Sequence, residues 1–183
     1  MRGYGAPTIT GVKLVAEHGP HTPIRIVIHC TESKNVPNST TDIYAIPNYW
    51  LNQGQGYGTQ LVIDADGNTC RCVHDQQVAW GVGGRNTGSL QVEMIGFTSD
   101  STAAWKSRQK GLKQLAKWIA YWSRTYNIPI RLDVGSGVST HAMQSMAFHT
   151  SDHTDPGPNF PLSTVMRWAK WYRVTGWNPK PNA

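Results

Sequence analysis

A dense group of potential metal ligands lies near the end of the chain, in residues 149–161 (HTSDHTDPGPNFP). Within this segment, Asp155 directly precedes Pro156 and Gly157. Proline restricts the residue before it to an extended backbone, and glycine permits the sharp turn that follows. An ordinary polar loop needs neither this rigidity nor so many donor groups. We therefore predict that the turn holds the carboxylate of Asp155 in place as a metal ligand.

Two of the seven histidines are the best candidates to share an ion with this carboxylate. His29 follows the β-branched run at 24–28 (IRIVI), which is typical of a buried strand and would hold the imidazole rigidly. His141 lies upstream of Asp155, after a glycine- and serine-rich stretch at 135–140 that is predicted to be flexible. Two histidines and one carboxylate, with the fourth position left open, form a catalytic zinc site. A lone histidine is more often an ordinary surface or core residue, so the prediction depends on the combination.

His149 is an alternative to His141 as the second histidine ligand, because it lies closer to Asp155 along the chain. Spacing alone does not decide between the two, since the other ligand, His29, is far away in the sequence. We favour His141 as the second ligand, and His149 stays open as the alternative.

A charged side chain interrupts an otherwise apolar strand. Residues Leu90–Phe97 are predicted to form this strand, and Glu93 lies inside it between Val92 and Met94. An ionisable group in an apolar strand costs free energy unless it is paired or functional. Glu93 is therefore a further candidate for chemistry.

The elements that must position these residues mix strands and helices without a regular βαβ alternation. A hairpin is predicted where Leu61–Asp64 and Thr69–Val73 flank an Asp-Gly turn. An apolar stripe predicts one long helix over Thr102–Tyr126. Shorter helices are predicted over Thr41–Asn52 and after Ser163, the expected N-cap. These elements indicate an α/β fold in which helices flank a mixed central β-sheet.

The length of 183 residues predicts a single catalytic domain over residues 1–175, followed by a tail or linker stub at 176–183. No apolar run reaches the roughly 18 residues needed to cross a bilayer, so we predict that the protein does not insert into membranes. We also expect a monomer. The N-terminal residues lack the apolar region of a secretory signal. Such a protein would stay in the cytoplasm until another factor released it.

The formal net charge of +6 favours an anionic partner, such as nucleic acid or the acidic polymers of a bacterial cell wall. The basic residues form no base-reading motif. Four lysines of the long predicted helix have no aromatic stacking partners in register, namely Lys106, Lys110, Lys113 and Lys117. We therefore predict no nucleic-acid partner and expect these lysines to draw the protein toward anionic wall polymers.

Motifs in collinear order resemble those of the type 2 N-acetylmuramoyl-L-alanine amidases. These zinc enzymes are related to peptidoglycan recognition proteins and are common in phage endolysins, including those of phages that infect mycobacteria and related actinobacteria. The resemblance covers residues 22–172, and its most specific part is TDPGP at 154–158. The other matching segments are IVIH at 26–29, VIDADG at 62–67, VAW at 78–80, NT at 86–87, LQVE at 90–93, GVSTH at 137–141 and HTDPGPNFP at 153–161.

This resemblance implies hydrolysis of the amide bond between the lactyl group of muramic acid and L-alanine in peptidoglycan, as in endolysin-driven lysis of a bacterial host. It implies a zinc ion bound by His29, His141 and Asp155. It also implies that Glu93 is the acid–base residue that handles the attacking water and the leaving amine.

Other positions either follow or depart from the family pattern. His153 stands where many relatives have a lysine that steadies the developing oxyanion, so a hydrogen bond from His153 would depend on pH near neutrality. Gln60 and Gly81 stand where histidines are common, and Ala142-Met143 follows His141 where an acidic residue is usual. These departures concern the surroundings of the metal and not its ligands. The expected substrate contacts are Trp80, Asn86 and His149.

Two other functions remain open at this stage. A non-catalytic peptidoglycan-binding module of the same fold would typically lack one of the zinc ligands, whereas this chain retains all three. A basic nucleic-acid-binding domain would need cationic and aromatic groups on one surface, and its binding would weaken steeply with salt.

Overall fold

A mixed six-stranded sheet forms the centre of the computed structural model, which describes residues 7–36, 38–39 and 41–176. The predicted hairpin is present as an antiparallel pair of strands. The strands are, in chain order, β1 (Gly11–Val12), β2 (Arg25–Cys30), β3 (Leu61–Ile63), β4 (Thr69–Arg71), β5 (Ser89–Met94) and β6 (Val138–Thr140).

The order of strands across the sheet is β1-β4-β3-β5-β2-β6. Only the β3–β4 pair is antiparallel, and the other four pairs are parallel. Strand β2 therefore lies between β5 and β6, both of which run in its direction. The carboxyl ends of these three strands meet at one edge of the sheet, which is where open α/β sheets place their ligand sites.

Helices cover both faces of the sheet, as the mixed α/β prediction requires. One face of the sheet contributes to a buried apolar cluster that includes Trp118 and Val165, and the other contributes to a buried apolar cluster that includes Ile43. The helices are α1 (Asp42–Gln53), α2 (Thr102–Ser107), α3 (Gln109–Thr125), α4 (His141–Phe148) and α5 (Leu162–Thr175). Among the described residues, no helix has both the length and the apolar character needed to cross a bilayer.

The prediction of one continuous helix over Thr102–Tyr126 is wrong, because Arg108 leaves the helical conformation and separates α2 from α3. The guanidinium of Arg108 pairs with Asp100 and lies over the Trp105 ring, while the Trp105 side chain is fully buried. The backbone of Gly111 packs against the hairpin turn, where its N–H donates to the Ala65 carbonyl. These tertiary contacts outweigh the regular helical pattern at the break.

The apolar stripe of this region is confirmed in α3. Its members Leu112, Leu115, Ile119 and Trp122 are buried beneath α5 and against the sheet. The ammonium groups of Lys113 and Lys117 lie 5.8 Å from the ring centres of Trp168 and Tyr172, respectively. Because α3 lies between the sheet and α5, these lysines contact aromatic rings within the fold instead of lining an open helix face.

Two further local predictions are wrong. The stretch before His141 is not a flexible approach, because its last residues form β6 and His141 begins α4 directly. Ser163 does not cap the final helix, since α5 begins at Leu162 and Pro161 is the N-cap. The first case reflects pairing of β6 with β2, a long-range contact that local sequence does not reveal. The predicted tail at 176–183 falls almost entirely outside the described residues.

Candidate metal centre and cleft

Three of the predicted site residues converge at the carboxyl ends of the parallel strands. His29 is in β2, and its register partner in β5 is Glu93, so both side chains point to the same face of the sheet. On the other side of β2, Ile28 pairs with Thr140, the last residue of β6, and His141 follows at once. The strand register therefore places His29 between Glu93 and His141.

The donor groups of His29, His141 and Asp155 form a compact triangle, in which Asp155 contributes a different carboxylate oxygen to each of its two edges. The two Nδ1 atoms are 3.0 Å apart. Asp155 places its Oδ2 3.2 Å from Nδ1 of His29 and its Oδ1 3.1 Å from Nδ1 of His141. Three protein donors around one tetrahedral zinc ion, at about 2.0–2.1 Å from it, would be separated by about 3.3 Å. These residues therefore fit zinc in both chemistry and spacing.

The three side chains are all buried, and among the described residues they are the group of histidine, cysteine and acidic side chains that could hold a metal ion. The two Nδ1 atoms are 3.0 Å apart, so only one of them can carry a proton toward the other without repulsion. A cation between them would bind the lone pairs of both nitrogens. Nε2 of His29 is buried and has no hydrogen-bond partner among the described residues.

The position of Asp155 depends on its turn and on α4. Its carbonyl accepts a hydrogen bond from the backbone N–H of Ala142 at 3.0 Å, which ties the turn to the first residues of α4. The same helix end is capped by the Thr140 hydroxyl, which accepts from the Met143 N–H at 3.2 Å. The Asp155–Pro156 peptide bond is cis, a feature that the sequence did not predict.

Gly157 gives this turn its tight fit, and we predict that Gly157→Ala destabilises the protein by about 2–5 kcal/mol. Its φ is +88°, and an added Cβ would collide with the backbone carbonyl of Thr98. The left-handed backbone costs an L-residue about 1–2 kcal/mol, and overpacking adds about 1–3 kcal/mol. Urea unfolding of the metal-free protein measures the change.

Gly19→Ala is the matched control for this prediction. Gly19 has a similar φ of +91°, but a Cβ there would meet nothing within 4 Å. We expect only the backbone cost of about 1–2 kcal/mol at this position. Equal losses at the two glycines would show that contact with Thr98 contributes nothing to the stability of the turn.

The electrostatic environment favours the protonation states that a metal site needs. Burial alone would raise the pKa of Asp155, but the facing imidazoles of His141 and His29 hold it well below its usual range. Burial lowers the pKa of His29, which keeps its imidazole neutral despite the neighbouring Asp155 carboxylate. A carboxylate and neutral imidazoles are the forms that ligate zinc.

Glu93 has the character of a proton-transfer group. Burial, together with the negative charges of Asp155 and Glu32, raises the pKa of Glu93 well above its ordinary value. Its Oε2 is buried without a hydrogen-bond partner among the described residues, and Glu93 lines the cavity that contains the three donor residues. A carboxylate with a raised pKa at the edge of a cleft is suited to take up and return a proton.

His153 lies next to the metal ligands but points toward solvent. Its ring stacks on that of His141, with centres 4.3 Å apart and planes 13° apart, and its Nδ1 is 3.4 Å from Oδ1 of Asp155. Its side chain is 60% exposed. A substrate in the cleft could therefore contact this imidazole directly.

Two adjoining cavities meet at Glu93, His141 and His153. The first, of about 530 Å³, contains the three donor residues, and its rim carries Glu32 and Asp152. The second, of about 700 Å³, is lined by aromatic residues that the sequence analysis did not single out, Tyr49, Trp50 and Tyr57. Their exposure follows from the packing of α1 and of the loop after it, so periodicity alone could not identify them.

The predicted substrate contacts have different surroundings. Trp80 lines the second cavity, is 44% exposed and stacks on His18 at 3.6 Å between ring centres. Asn86 also lines this cavity, but its Oδ1 accepts hydrogen bonds from the N–H groups of Gly81 and Val82. The Asn86 side chain thus holds the loop that carries Trp80 against the cleft.

His149 does not join the donor triangle. It is the C-cap of α4, with a left-handed backbone at φ +54°, and its side chain is exposed. His141 stands at the opposite end of the same eight-residue helix, about 12 Å away along its axis. The structure therefore brings His141, and not His149, next to His29 and Asp155.

Comparisons with known proteins identify the family of the chain. The model of a family described as N-acetylmuramoyl-L-alanine amidase matches residues 19–158. A sequence comparison with curated proteins gives no match. The matched range includes the three donor residues and Glu93.

Solved structures share the fold at low sequence identity. An endolysin N-acetylmuramoyl-L-alanine amidase, LysCS from Clostridium intestinale, has a TM-score of 0.63 and 20% identity, over 90% of this chain and 97% of that one. PGRP-SA from Apis mellifera has a TM-score of 0.65 and 18% identity, over 95% and 100% of the two chains. The hydrolase AmiA from Staphylococcus aureus has a TM-score of 0.61 and 17% identity, over 94% and 89%.

Proposed function

This chain belongs to the N-acetylmuramoyl-L-alanine amidase family, and from that premise we propose that it cleaves peptidoglycan with a zinc ion bound by His29, His141 and Asp155. The observation that carries the proposal is the convergence of three buried donor groups, in which the two Nδ1 atoms are 3.0 Å apart and each is within 3.2 Å of one Asp155 carboxylate oxygen. Zinc bound there would supply Lewis acidity, which makes water nucleophilic at neutral pH and polarises a carbonyl group.

The proposed role of Glu93 is proton transfer during hydrolysis of the amide between muramic acid and L-alanine. Its carboxylate, whose buried Oε2 has no hydrogen-bond partner among the described residues, takes a proton from the attacking water while the new carbon–oxygen bond forms. It then donates that proton to the nitrogen of the L-alanine residue as the carbon–nitrogen bond breaks. Its raised pKa suits both halves of this cycle, because it makes the protonated form of the carboxyl group easier to reach.

His153 and the aromatic cavity would position the substrate. The exposed imidazole of His153 can donate a hydrogen bond to the oxygen of the scissile carbonyl as negative charge develops there. Tyr57 and Trp80 are both partly exposed in the second cavity and offer flat faces for a saccharide or peptide chain. His149 is predicted to contact substrate only at the outer edge of this region.

The biological role that we propose is that of an endolysin, which acts on the cell wall of a bacterial host after release from its cytoplasm. Structural neighbours described as endolysins support this role. A non-catalytic wall-binding module of the same fold is the second candidate. It is less favoured because all three donors and Glu93 are present in one cleft.

Removal of zinc is expected to abolish amide hydrolysis, because without the ion the cleft has no Lewis acid to activate water. Purified peptidoglycan is incubated with the protein before and after dialysis against a chelator, and newly released amino groups are counted. Elemental analysis verifies the loss of metal, and added zinc is expected to restore activity. Full activity in verified metal-free protein would exclude zinc catalysis, and no release from any preparation would favour the binding module.

A further inference from the structure

The two candidate histidine ligands differ in what their second ring nitrogen contacts. Nε2 of His29 has no hydrogen-bond partner among the described residues. Nε2 of His141 lies 3.3 Å from the hydroxyl oxygen of Ser151. That oxygen is in turn 2.6 Å from the hydroxyl oxygen of Ser145. His141 therefore begins a short chain of side-chain hydrogen bonds on the side of its ring opposite to the donor triangle.

This chain links the elements that supply the two late ligands. Ser145 is buried in α4, one helical turn after His141, so it lies on the same face of the helix. Ser151 belongs to the segment between α4 and the Asp155 turn and lines the second cavity. The Ser145–Ser151 contact therefore fastens the segment that leads to Asp155 onto the helix that carries His141.

A neutral histidine that binds a metal through Nδ1 carries its proton on Nε2, and that N–H usually donates to an acceptor that fixes the ring. In the metal-free site, Nδ1 of His141 can instead donate to Nδ1 of His29, 3.0 Å away, which leaves Nε2 as an acceptor. A hydroxyl group serves both states, because it can donate to Nε2 or accept from it. A carbonyl or carboxylate oxygen would serve only the metal-bound state.

We propose that Ser151 is a positioning residue for the metal site, which holds the His141 ring in both the metal-free and the zinc-bound protein. Ser145 supports it by orienting the Ser151 hydroxyl. The role rests on the zinc site of the proposed function, but it concerns residues that neither contact the ion nor belong to the family motifs described above. The position of His29 is fixed by strand β2, whereas the ring of His141 is fixed by the hydroxyl groups of Ser151 and Ser145.

Zinc affinity of the purified protein tests this role without relying on activity. We expect Ser151→Ala to weaken zinc binding about 10- to 100-fold, the usual cost of losing a hydrogen-bond partner behind a ligand histidine. Ser151→Thr keeps the hydroxyl group, so its Kd for zinc is expected to stay within about threefold of that of the unaltered protein. Ser145→Ala, which leaves the Nε2 contact in place, is expected to give an intermediate loss. Competition with a chromogenic chelator measures the Kd of each variant.

Thr150→Ala is the matched control, because Thr150 is the exposed neighbour of Ser151 and its side chain lies against the backbone of Gly83 and Gly84. It is expected to bind zinc like the unaltered protein. If Ser151→Ala fails to fold, Ser151→Cys carries the same expectation, since a thiol is of similar size but a weak acceptor.

The possible outcomes separate this inference from the proposed function. An unaltered protein that takes up no zinc would refute both. An unaltered protein that binds zinc, with an unchanged Kd in Ser151→Ala, would refute only the role of Ser151. An equal loss in Ser151→Thr would also refute it, because the hydroxyl would then not be the group that matters. A drop in metal-free stability with no change in zinc Kd would assign Ser151 a purely structural part.

Discussion

Glu93→Gln is expected to lower the rate of amide hydrolysis by about 10²- to 10⁴-fold, the usual contribution of a general acid–base group. The amide of glutamine has nearly the shape of the carboxylate, but it cannot take a proton from water or return one to the leaving amine. Zinc binding is expected to persist, because Glu93 is outside the donor triangle of His29, His141 and Asp155. The measurement is the release of amino groups from purified peptidoglycan, with zinc content determined on the same sample.

Glu32→Gln is the matched control, since Glu32 lines the same cavity and undergoes the same chemical change. The Glu32 carboxylate accepts hydrogen bonds from the Thr98 N–H and hydroxyl groups, so its neutralisation should alter the rate far less. Full hydrolysis by zinc-loaded Glu93→Gln would remove Glu93 from catalysis. Similar losses at both positions would indicate that general charge in the cavity, and not proton transfer at Glu93, limits the rate.

His141→Asn is expected to cause the second large effect, loss of tightly bound zinc and with it a loss of activity of at least about 10³-fold. Catalytic zinc sites of this type use three protein ligands, and two donors do not retain the ion well. The same substitution also leaves the buried Asp155 carboxylate with fewer partners, which lowers the stability of the folded protein. Elemental analysis after gel filtration measures the bound metal.

His149→Asn makes the same chemical change at the alternative histidine and serves as the comparison. Asparagine tolerates the left-handed backbone of position 149, so the C-cap of α4 should survive. We expect this variant to retain zinc in full. The reverse result, with zinc lost in His149→Asn and kept in His141→Asn, would mean that the ligand assignment is wrong.

Several residues of the proposed site could be singled out from local sequence. The acidic residue within an apolar strand singled out Glu93, and the turn after Asp155 singled out its carboxylate. Both features depend on neighbours within a few residues. The apolar stripe of α3 could be predicted for the same reason, because helical periodicity arranges nearby residues on one face.

The predictions that were wrong involve contacts between distant segments. The break at Arg108 results from its pairing with Asp100 and from burial of Trp105. The strand β6 forms only because β2 provides its hydrogen-bond partners, so the preceding stretch looked flexible in the sequence. Nothing in the sequence pattern distinguished Ser145 and Ser151 from other serines, since serines are common in loops and at helix ends.

The sequence by itself determined which kinds of donor atoms are available, which turn presents Asp155 and to which family the chain belongs. Only the tertiary structure shows which of His141 and His149 lies beside His29 and Asp155. The Nδ1 atoms of His29 and His141 meet although the residues are 112 positions apart. Propensity and spacing act over a few residues, whereas a contact across the sheet depends on the order and register of β5, β2 and β6. That register brings one histidine into the donor triangle and leaves the other exposed at the far end of α4.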